Sequence, residues 1–140
     1  YNKNQPLKGQ TILRIPKPTE AELFILNVLW SNGPSTVREV HDSLKERNTV
    51  YTTVLKLLQI MHEKGLVNRE DSSRAHVYSA VFSRQQLQRN LVTDLVVRVF
   101  QGSSTLLIQQ ALAANPSTPE ELSEIRRMID AMEKECEPRD

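Results

Sequence analysis

With 140 residues, of which 25% are charged and 39% hydrophobic, the chain has the composition of one folded domain, or of a small domain with an appendage. Its net charge of +1 hides an asymmetry: residues 1–85 carry 12 Lys and Arg against 8 Asp and Glu, whereas residues 86–140 carry 6 against 9, which favours a polyanion-binding surface in the first part. No apolar run approaches the roughly 20 residues of a membrane-spanning helix, and the single cysteine, Cys136, excludes an internal disulfide and a cysteine-cluster metal site.

The first predicted elements are an arm and two helices. Residues 1–18 show no sustained period and predict an irregular basic arm, interpreted as a solvated tail rather than a DNA contact. A capping box, Thr19 with Glu22, opens a first helix with a broad apolar face, which the Asn-Gly-Pro at 32–34 ends. A second box, Thr36 with Glu39, opens a short helix that closes at 45–48.

The third predicted helix is followed by a hairpin. From about Tyr51, a narrow apolar stripe at helical spacing faces the core; it consists of Val54, Leu57, Leu58 and Met61. A basic last turn and a glycine, Lys64-Gly65, end this helix. The period then changes to two, which predicts strands at 66–70 and 75–79 around a turn at 71–74. Residues 19–82 are therefore predicted to form a winged helix-turn-helix, with Trp30 and Tyr78 as core residues.

Helices fill the rest of the chain, so the predicted fold is mainly α with a small β-hairpin wing. A box at Ser83 and Gln86 starts a long helix to about Gln101, and a shorter helix follows Gly102 to about Ala114. Thr118 with Pro119 and Glu121 starts a last helix. We expect a helical dimerisation domain over 83–136 and a short tail over 137–140.

The dimer is inferred from apolar residues that cover more than one face of these helices. A segment of roughly 50 residues buries too little surface to fold comfortably alone, and packing against a second copy solves this. The alternative is that the helices fold back on the winged helix. The expected interface residues are Leu87, Leu91, Leu95, Val99, Leu106, Leu107 and Leu112.

An ordered set of motifs resembles the penicillinase-repressor (BlaI/MecI) family, which has a copper-responsive CopY branch. The motifs are PTEAE (18–22), VLW (28–30), GPSTVREV (33–40), YTTV (51–54), EKGLV (63–67) and RAHVY (74–78), and the match spans about Lys17 to Met132. The resemblance implies a cytoplasmic, dimeric winged-helix repressor of palindromic operator DNA in a β-lactam or cell-envelope-stress regulon. It also implies release from DNA when a membrane-bound sensor metalloprotease cuts the repressor.

Three departures from the family pattern bear on this expectation. Lys56 and Ile60 stand where the family usually has Thr and Arg, which changes the expected operator preference. Cys136 alone does not supply the cysteine cluster of the copper-responsive branch. Gln110-Ala111 occupies the position of the scissile Asn-Phe pair of staphylococcal members, so it is the expected cleavage site with an altered sequence.

Given the hairpin and this ordered match, the polar face of the third helix is expected to enter the major groove and the wing to grip phosphate or the minor groove. The helix residues are Thr52, Thr53, Lys56 and Gln59, and the wing residues are Arg74, Ser72 and Ser73. Tyr51 contacts the DNA backbone or supports the helix start. Arg38 is a phosphate ligand or a surface ion-pair partner, and Arg69 is an additional DNA-binding candidate.

Catalysis, a cofactor and a bound metal are not expected. His41, His62 and His76 lie on separate elements, and no metalloprotease motif or glycine-rich phosphate loop is present. Two alternatives to the DNA-binding repressor are a winged-helix protein-interaction module and a metal-responsive repressor. The first predicts an acidic or apolar third-helix face, and the second predicts a ligand cluster near the dimer interface.

Overall fold

The computed structural model describes residues 14–136, and the first 13 residues of the predicted arm and the predicted tail lie outside this range. The elements are α1 (Glu20–Asn32), β1 (Ser35–Thr36), α2 (Val37–Ser43), a 3-10 turn (Lys45–Arg47), α3 (Tyr51–Lys64), β2 (Val67–Glu70), β3 (Val77–Ala80), α4 (Arg84–Arg98), α5 (Ser104–Ala114) and α6 (Pro119–Cys136). The mainly helical fold with a small antiparallel sheet confirms the predicted fold class.

The helix starts follow the predicted capping chemistry. At α1 the Thr19 hydroxyl accepts a bond from the Glu22 amide at 3.2 Å, and the Glu22 carboxylate accepts one from the Thr19 amide at 2.9 Å. Thr36 and Glu39 repeat this arrangement at α2. Both boxes satisfy amides that a helix cannot satisfy internally, so they fix where α1 and α2 begin.

The sheet has three strands in the order β1-β3-β2, all antiparallel. Strand β1 was not predicted: Ser35 lies opposite Tyr78 and Thr36 opposite Val77. Two residues are too short to show a period, so only the pairing with β3 reveals them as a strand. The strand joins the wing hairpin to the turn between α1 and α2.

One apolar core holds α1, α2, α3 and the sheet together. Its members are 9% exposed or less; they are Ile15, Ile25, Leu26, Leu29, Val37, Val40, Leu44, Val54, Leu58, Met61, Leu66, Val67, Tyr78 and Leu87. Tyr78 is buried as the sequence predicted. Trp30, also predicted to be a core residue, is half-buried against the core, and its indole N–H donates to the Phe82 carbonyl at 2.8 Å. The prediction of a solvated arm is wrong at Ile15, because this side chain is 8% exposed and belongs to the core.

The chain divides into two compact units, and the boundary between Asp94 and Leu95 falls within α4. In the second unit, between Leu95 and Cys136, no described residue is buried. No helix of the described part is long and apolar enough to cross a membrane.

Leu87 differs from its expected role. It was assigned to the dimer interface, but it is 3% exposed in the core of the first unit, and Leu91 packs beside that core. The apolar spacing along α4 does not reveal which positions face the chain's own core. Leu87 is therefore not part of the exposed surface that a second copy could cover.

Candidate nucleic-acid interface

The outer face of α3 is exposed and polar. Val54, Leu58 and Met61 are fully buried on the inner face and fix the rotation of the helix. The residues turned outward are Thr52, Thr53, Lys56 and Gln59, and all of them are exposed. The four predicted groove-reading residues therefore share one accessible face that carries hydroxyl, ammonium and amide groups. Such groups can bond base edges and phosphates.

The segment before α3 is held by the second helix. The His41 ring nitrogen Nε2 lies 2.9 Å from the Thr49 carbonyl oxygen, and the same ring meets the Tyr51 ring edge-on with centroids 5.8 Å apart. Asn48 adopts the left-handed conformation, φ 53°, which turns the chain into the helix. Tyr51 remains 43% exposed despite its contact with His41, so it is both a support of the helix start and accessible.

A partly buried ion pair links the far end of α3 to the start of α1. The Lys64 ammonium donates to Glu22 Oε1 at 2.7 Å, and the Glu22 side chain is 2% exposed while that of Lys64 is 33% exposed. Burial raises the pKa of Glu22, but bonds from Lys64 and Thr19 outweigh this effect, so the pKa lies below its ordinary value. The pair and the α1 capping box use the same carboxylate, which couples the orientation of α3 to α1.

The wing is organised by its own side chains. Asp71 accepts bonds from Arg69 Nε at 2.9 Å and from His76 Nδ1 at 2.6 Å, which bridges the two strands at the hairpin tip. This carboxylate also raises the pKa of the Arg69 guanidinium. Arg69, a DNA-binding candidate, is thus engaged inside the hairpin.

The other predicted wing residues lie at the exposed tip. The Ser72 hydroxyl donates to Glu70 at 2.9 Å and the Ser73 hydroxyl donates to the Ala75 carbonyl at 2.6 Å. Both serine hydroxyls therefore already donate to acceptors within the turn. Arg74, which follows Ser73 and precedes β3, is exposed. Of the two predicted wing arginines, Arg74 is the one that is exposed and forms no ion pair with the described residues.

Three of the four predicted DNA-binding cations form no ion pair and can meet a polyanion. Lys56 on α3, Arg38 on α2 and Arg74 at the wing are exposed, and none forms an ion pair with any residue in the range 14–136. The surface ion pair considered for Arg38 is therefore not formed here. Unpaired exposed cations are the groups that phosphate neutralises most readily, because no internal salt bridge must first be broken.

Two apolar residues beside this face were not among the predicted site residues. Val50, at the N-cap of α3, is 59% exposed and Ile60 is 36% exposed. Ile60 follows Lys56 by four residues and lies on the same side of the helix. The sequence could have indicated both residues, because Val50 and Ile60 flank the polar positions of α3. An exposed methyl group on such a face suits contact with the thymine methyl.

The remaining predicted positions lie elsewhere. Gln110 and Ala111 are exposed on α5, and five expected interface residues lie in the second unit: Leu95, Val99, Leu106, Leu107 and Leu112. Within the described residues, no group of three His, Cys, Asp or Glu side chains is placed to hold a metal ion.

Three packed helices, an antiparallel hairpin and an exposed polar third helix define a winged helix-turn-helix protein. The penicillinase repressor family model matches residues 18–131, and the chain belongs to that family.

Similar proteins are found among curated relatives and solved structures. A transcriptional regulator BlaI of Mycobacterium tuberculosis is 36% identical over 87 residues, which cover 61% of this chain and 63% of the relative. The penicillinase repressor of Bacillus licheniformis is 21% identical over 122 residues, 84% of this chain and 92% of the relative. A solution structure of monomeric Bacillus licheniformis BlaI with the blaP half-operator is similar with a TM-score of 0.46 and 24% identity, over 52% of this chain and 90% of that one.

Proposed function

We propose that this protein is a homodimeric transcriptional repressor that binds palindromic double-stranded operator DNA. In this proposal the outer face of α3 enters the major groove and Arg74 of the wing holds the adjacent phosphates. The observation that carries the proposal is the free, exposed Lys56 on a helix whose opposite side is locked into the core. Family membership and the names of the relatives also support a role as a transcriptional repressor.

The arrangement separates sequence reading from affinity. Thr52, Thr53 and Lys56 reach base edges because they lie on the first two turns of α3, the part of a recognition helix that contacts bases. Arg74 and Arg38 neutralise phosphates, which strengthens binding to any sequence and makes it depend on salt. An acidic or apolar α3 face, as a protein-interaction module requires, is not what these residues supply.

The dimer rests on exposed apolar residues in the second unit. Leu95, Val97 and Val99 of the α4 region are 41%, 47% and 61% exposed, and Leu106 and Leu112 of α5 are 41% and 37% exposed. Burying such surface is favourable by roughly 25 cal/mol per Å². A second copy offers the same surface, so a two-fold dimer covers both, and it presents two α3 helices to a repeated half-site.

Selection from random DNA tests the proposal. Duplexes with a randomised central region are enriched on the full-length protein and sequenced. We expect an inverted repeat whose half-sites are about 10 base pairs apart centre to centre, or a multiple of this. This spacing is one helical turn, so it places both half-sites on the same side of the duplex, where the two α3 helices of a dimer can reach them. No enrichment above the starting pool overturns the DNA-reading role, and enrichment of single half-sites overturns the dimer.

Induction is proposed to proceed through cleavage at Gln110-Ala111 by a membrane-bound sensor metalloprotease, as the family resemblance implies. Both residues are exposed, and a cut there separates α6 from the rest of the chain. Loss of interface surface then separates the two subunits, and the affinity for the operator falls on the order of 10²–10⁴-fold because the two half-sites are no longer bound together. Mass spectrometry of the protein from β-lactam-treated cells checks this: an intact chain during full derepression contradicts cleavage.

A further inference from the structure

The last helix carries an apolar seam with the spacing of a coiled coil. Along α6, alternating steps of three and four residues connect Leu122, Ile125, Ile129, Met132 and Cys136. These are successive a and d positions of a heptad. The described chain covers the seam only in part: Ile125 is half-buried, whereas Leu122, Ile129 and Met132 are 39%, 48% and 65% exposed, and Cys136 is exposed.

Charges beside the seam discriminate between partner orientations. In a parallel pair of α6 helices, each g position lies beside the e position five residues later on the partner. That rule places Glu121 next to Arg126 of the second copy, and does so twice by symmetry. The outward b, c and f positions are mostly polar, as in Ser123, Arg127 and Asp130.

An antiparallel pair is less favourable. In one antiparallel register Leu122 lies opposite Met132 and Ile125 lies opposite Ile129, so all four apolar seam residues have apolar partners. That register places Arg126 beside Arg126 of the second copy, and Glu121 beside Glu135 of the second copy. Like charges held directly opposite one another are destabilising. Sliding the helices by one layer pairs Arg126 with Glu133 but leaves Leu122 without an apolar partner.

We propose that α6 pairs in parallel with α6 of a second copy of this chain, in register, with the two Cys136 side chains at the end of the shared seam. This inference rests on the proposed homodimer and specifies which helix face meets the two-fold axis. Parallel pairing brings the two Cys136 Cα atoms within the roughly 7 Å that a disulfide tolerates. Antiparallel pairing separates them by at least about 15 Å, given the rise of 1.5 Å per residue.

The test is oxidative cross-linking of the full-length protein by diamide at micromolar concentration. One S–S bond forms between two Cys136 sulfurs, two S–H bonds break, and the two protons and two electrons reduce the azo group of diamide to a hydrazine. We expect a covalent dimer on a denaturing gel without reducing agent. A matched control moves the thiol to the outward f position, Cys136→Ser with Arg127→Cys. The native thiol should cross-link on the order of a hundredfold faster than this control, because paired thiols reach millimolar effective concentration.

Two further measurements separate the possible failures. The Cys136→Ser variant is examined by sedimentation, which reports the non-covalent dimer. A dimer whose native thiols react no faster than the 127 control overturns the α6 pairing and leaves the proposed dimer intact. A monomer overturns both. A variant with Thr118→Cys that forms a cross-link between positions 118 and 136 indicates antiparallel pairing and also overturns the proposal.

Charge exchange gives an independent readout. Arg126→Glu places two glutamates together in the parallel pair and should weaken the dimer, whereas Glu121→Arg with Arg126→Glu restores opposite charges and should restore it. In the fully apolar antiparallel register, the single change replaces one like-charge contact by another. An unchanged dimer affinity in Arg126→Glu therefore contradicts parallel pairing.

Discussion

The two units of this chain use apolar residues in opposite ways. In the first unit, from Ile15 to Leu91, they converge on one core in which Val40, Val54 and Leu58 have no exposed surface. In the second unit, helices of similar apolar content keep residues such as Val99 and Met132 more than 60% exposed. Apolar content alone therefore does not distinguish a core from an interface. The exposed fraction in the single chain shows which apolar residues form a core, and the exposed apolar surface of the second unit is the surface that the proposed dimer would bury.

The largest expected effect is on the core of the first unit. Leu58→Ala removes a fully buried side chain and should lower the free energy of unfolding by about 2–5 kcal/mol. Denaturant unfolding followed by the fluorescence of Trp30, the only tryptophan, measures this. Ile60→Ala, two residues away but 36% exposed, is the matched control and should cost less than about 1 kcal/mol. Equal costs contradict the assignment of the inner face of α3.

A charged substitution in the second unit should affect assembly instead of folding. Leu95→Glu with Leu106→Glu places carboxylates in the proposed interface, and burying them should weaken the dimer on the order of a hundredfold or more. Sedimentation should then show a species near the 16.0 kDa chain mass. Trp30 fluorescence checks that the first unit unfolds at the same denaturant concentration as in the wild type. A dimer that persists in this variant places the interface elsewhere.

The Glu22–Lys64 pair should make stability depend on pH. Because the folded pKa of Glu22 is lowered, its stabilisation is fully present above the unfolded pKa, ordinarily about 4.3, and is lost as pH falls through the lower folded pKa. Glu22→Gln retains a capping side chain and removes the charge. It should cost about 1–2 kcal/mol at neutral pH, below the 3–5 kcal/mol of a fully buried pair because Lys64 is partly solvated.

The same variant should flatten the acid limb of the stability profile between about pH 4.5 and the folded pKa. Glu63→Gln on the exposed side of α3 is the control and should leave both the stability and its pH profile nearly unchanged. If Glu22→Gln and the wild type lose stability in parallel over that range, the ion pair does not contribute as described.

The smallest expected effect concerns the wing. Arg74→Ala should weaken binding to all duplex sequences alike and reduce the slope of log affinity against log salt by about one. Fluorescence anisotropy with the selected operator and with an unrelated duplex, over a salt series, provides both values. Arg69→Ala should instead disturb the hairpin, because Arg69 is bound to Asp71. A change of sequence preference in Arg74→Ala assigns that residue to base reading rather than phosphate contact.

Local chemistry made much of the fold predictable. The capping boxes at Thr19 and Thr36 and the glycine at 65 fixed the helix bounds, since each depends on residues a few positions apart. Pairings between distant positions were not predictable. The two-residue strand β1 and the Glu22–Lys64 pair exist only because the fold brings residues 41 or more apart into contact.

The candidate site divides in the same way. The accessible face of α3 followed from helical periodicity, because the apolar stripe determines the opposite side. Periodicity did not reveal which wing arginine is already bound. Arg69 and Arg74 are five residues apart, and of these two only Arg69 pairs with Asp71. Leu87 illustrates the same limit, since its spacing along α4 is the same whether the helix faces its own core or a partner.

The base preference of the Lys56→Ala variant is the sharpest test of whether the outer face of α3 reads the DNA sequence. Wild type and variant are taken through the same selection from randomised duplexes, and affinities for the selected and substituted sites are compared. We predict that the variant still dimerises and binds, but loses roughly 1–3 kcal/mol of discrimination at a symmetric pair of positions, one in each half-site. An unchanged base preference at every position would contradict the account, because the exposed ammonium of α3 would then not contribute to sequence reading.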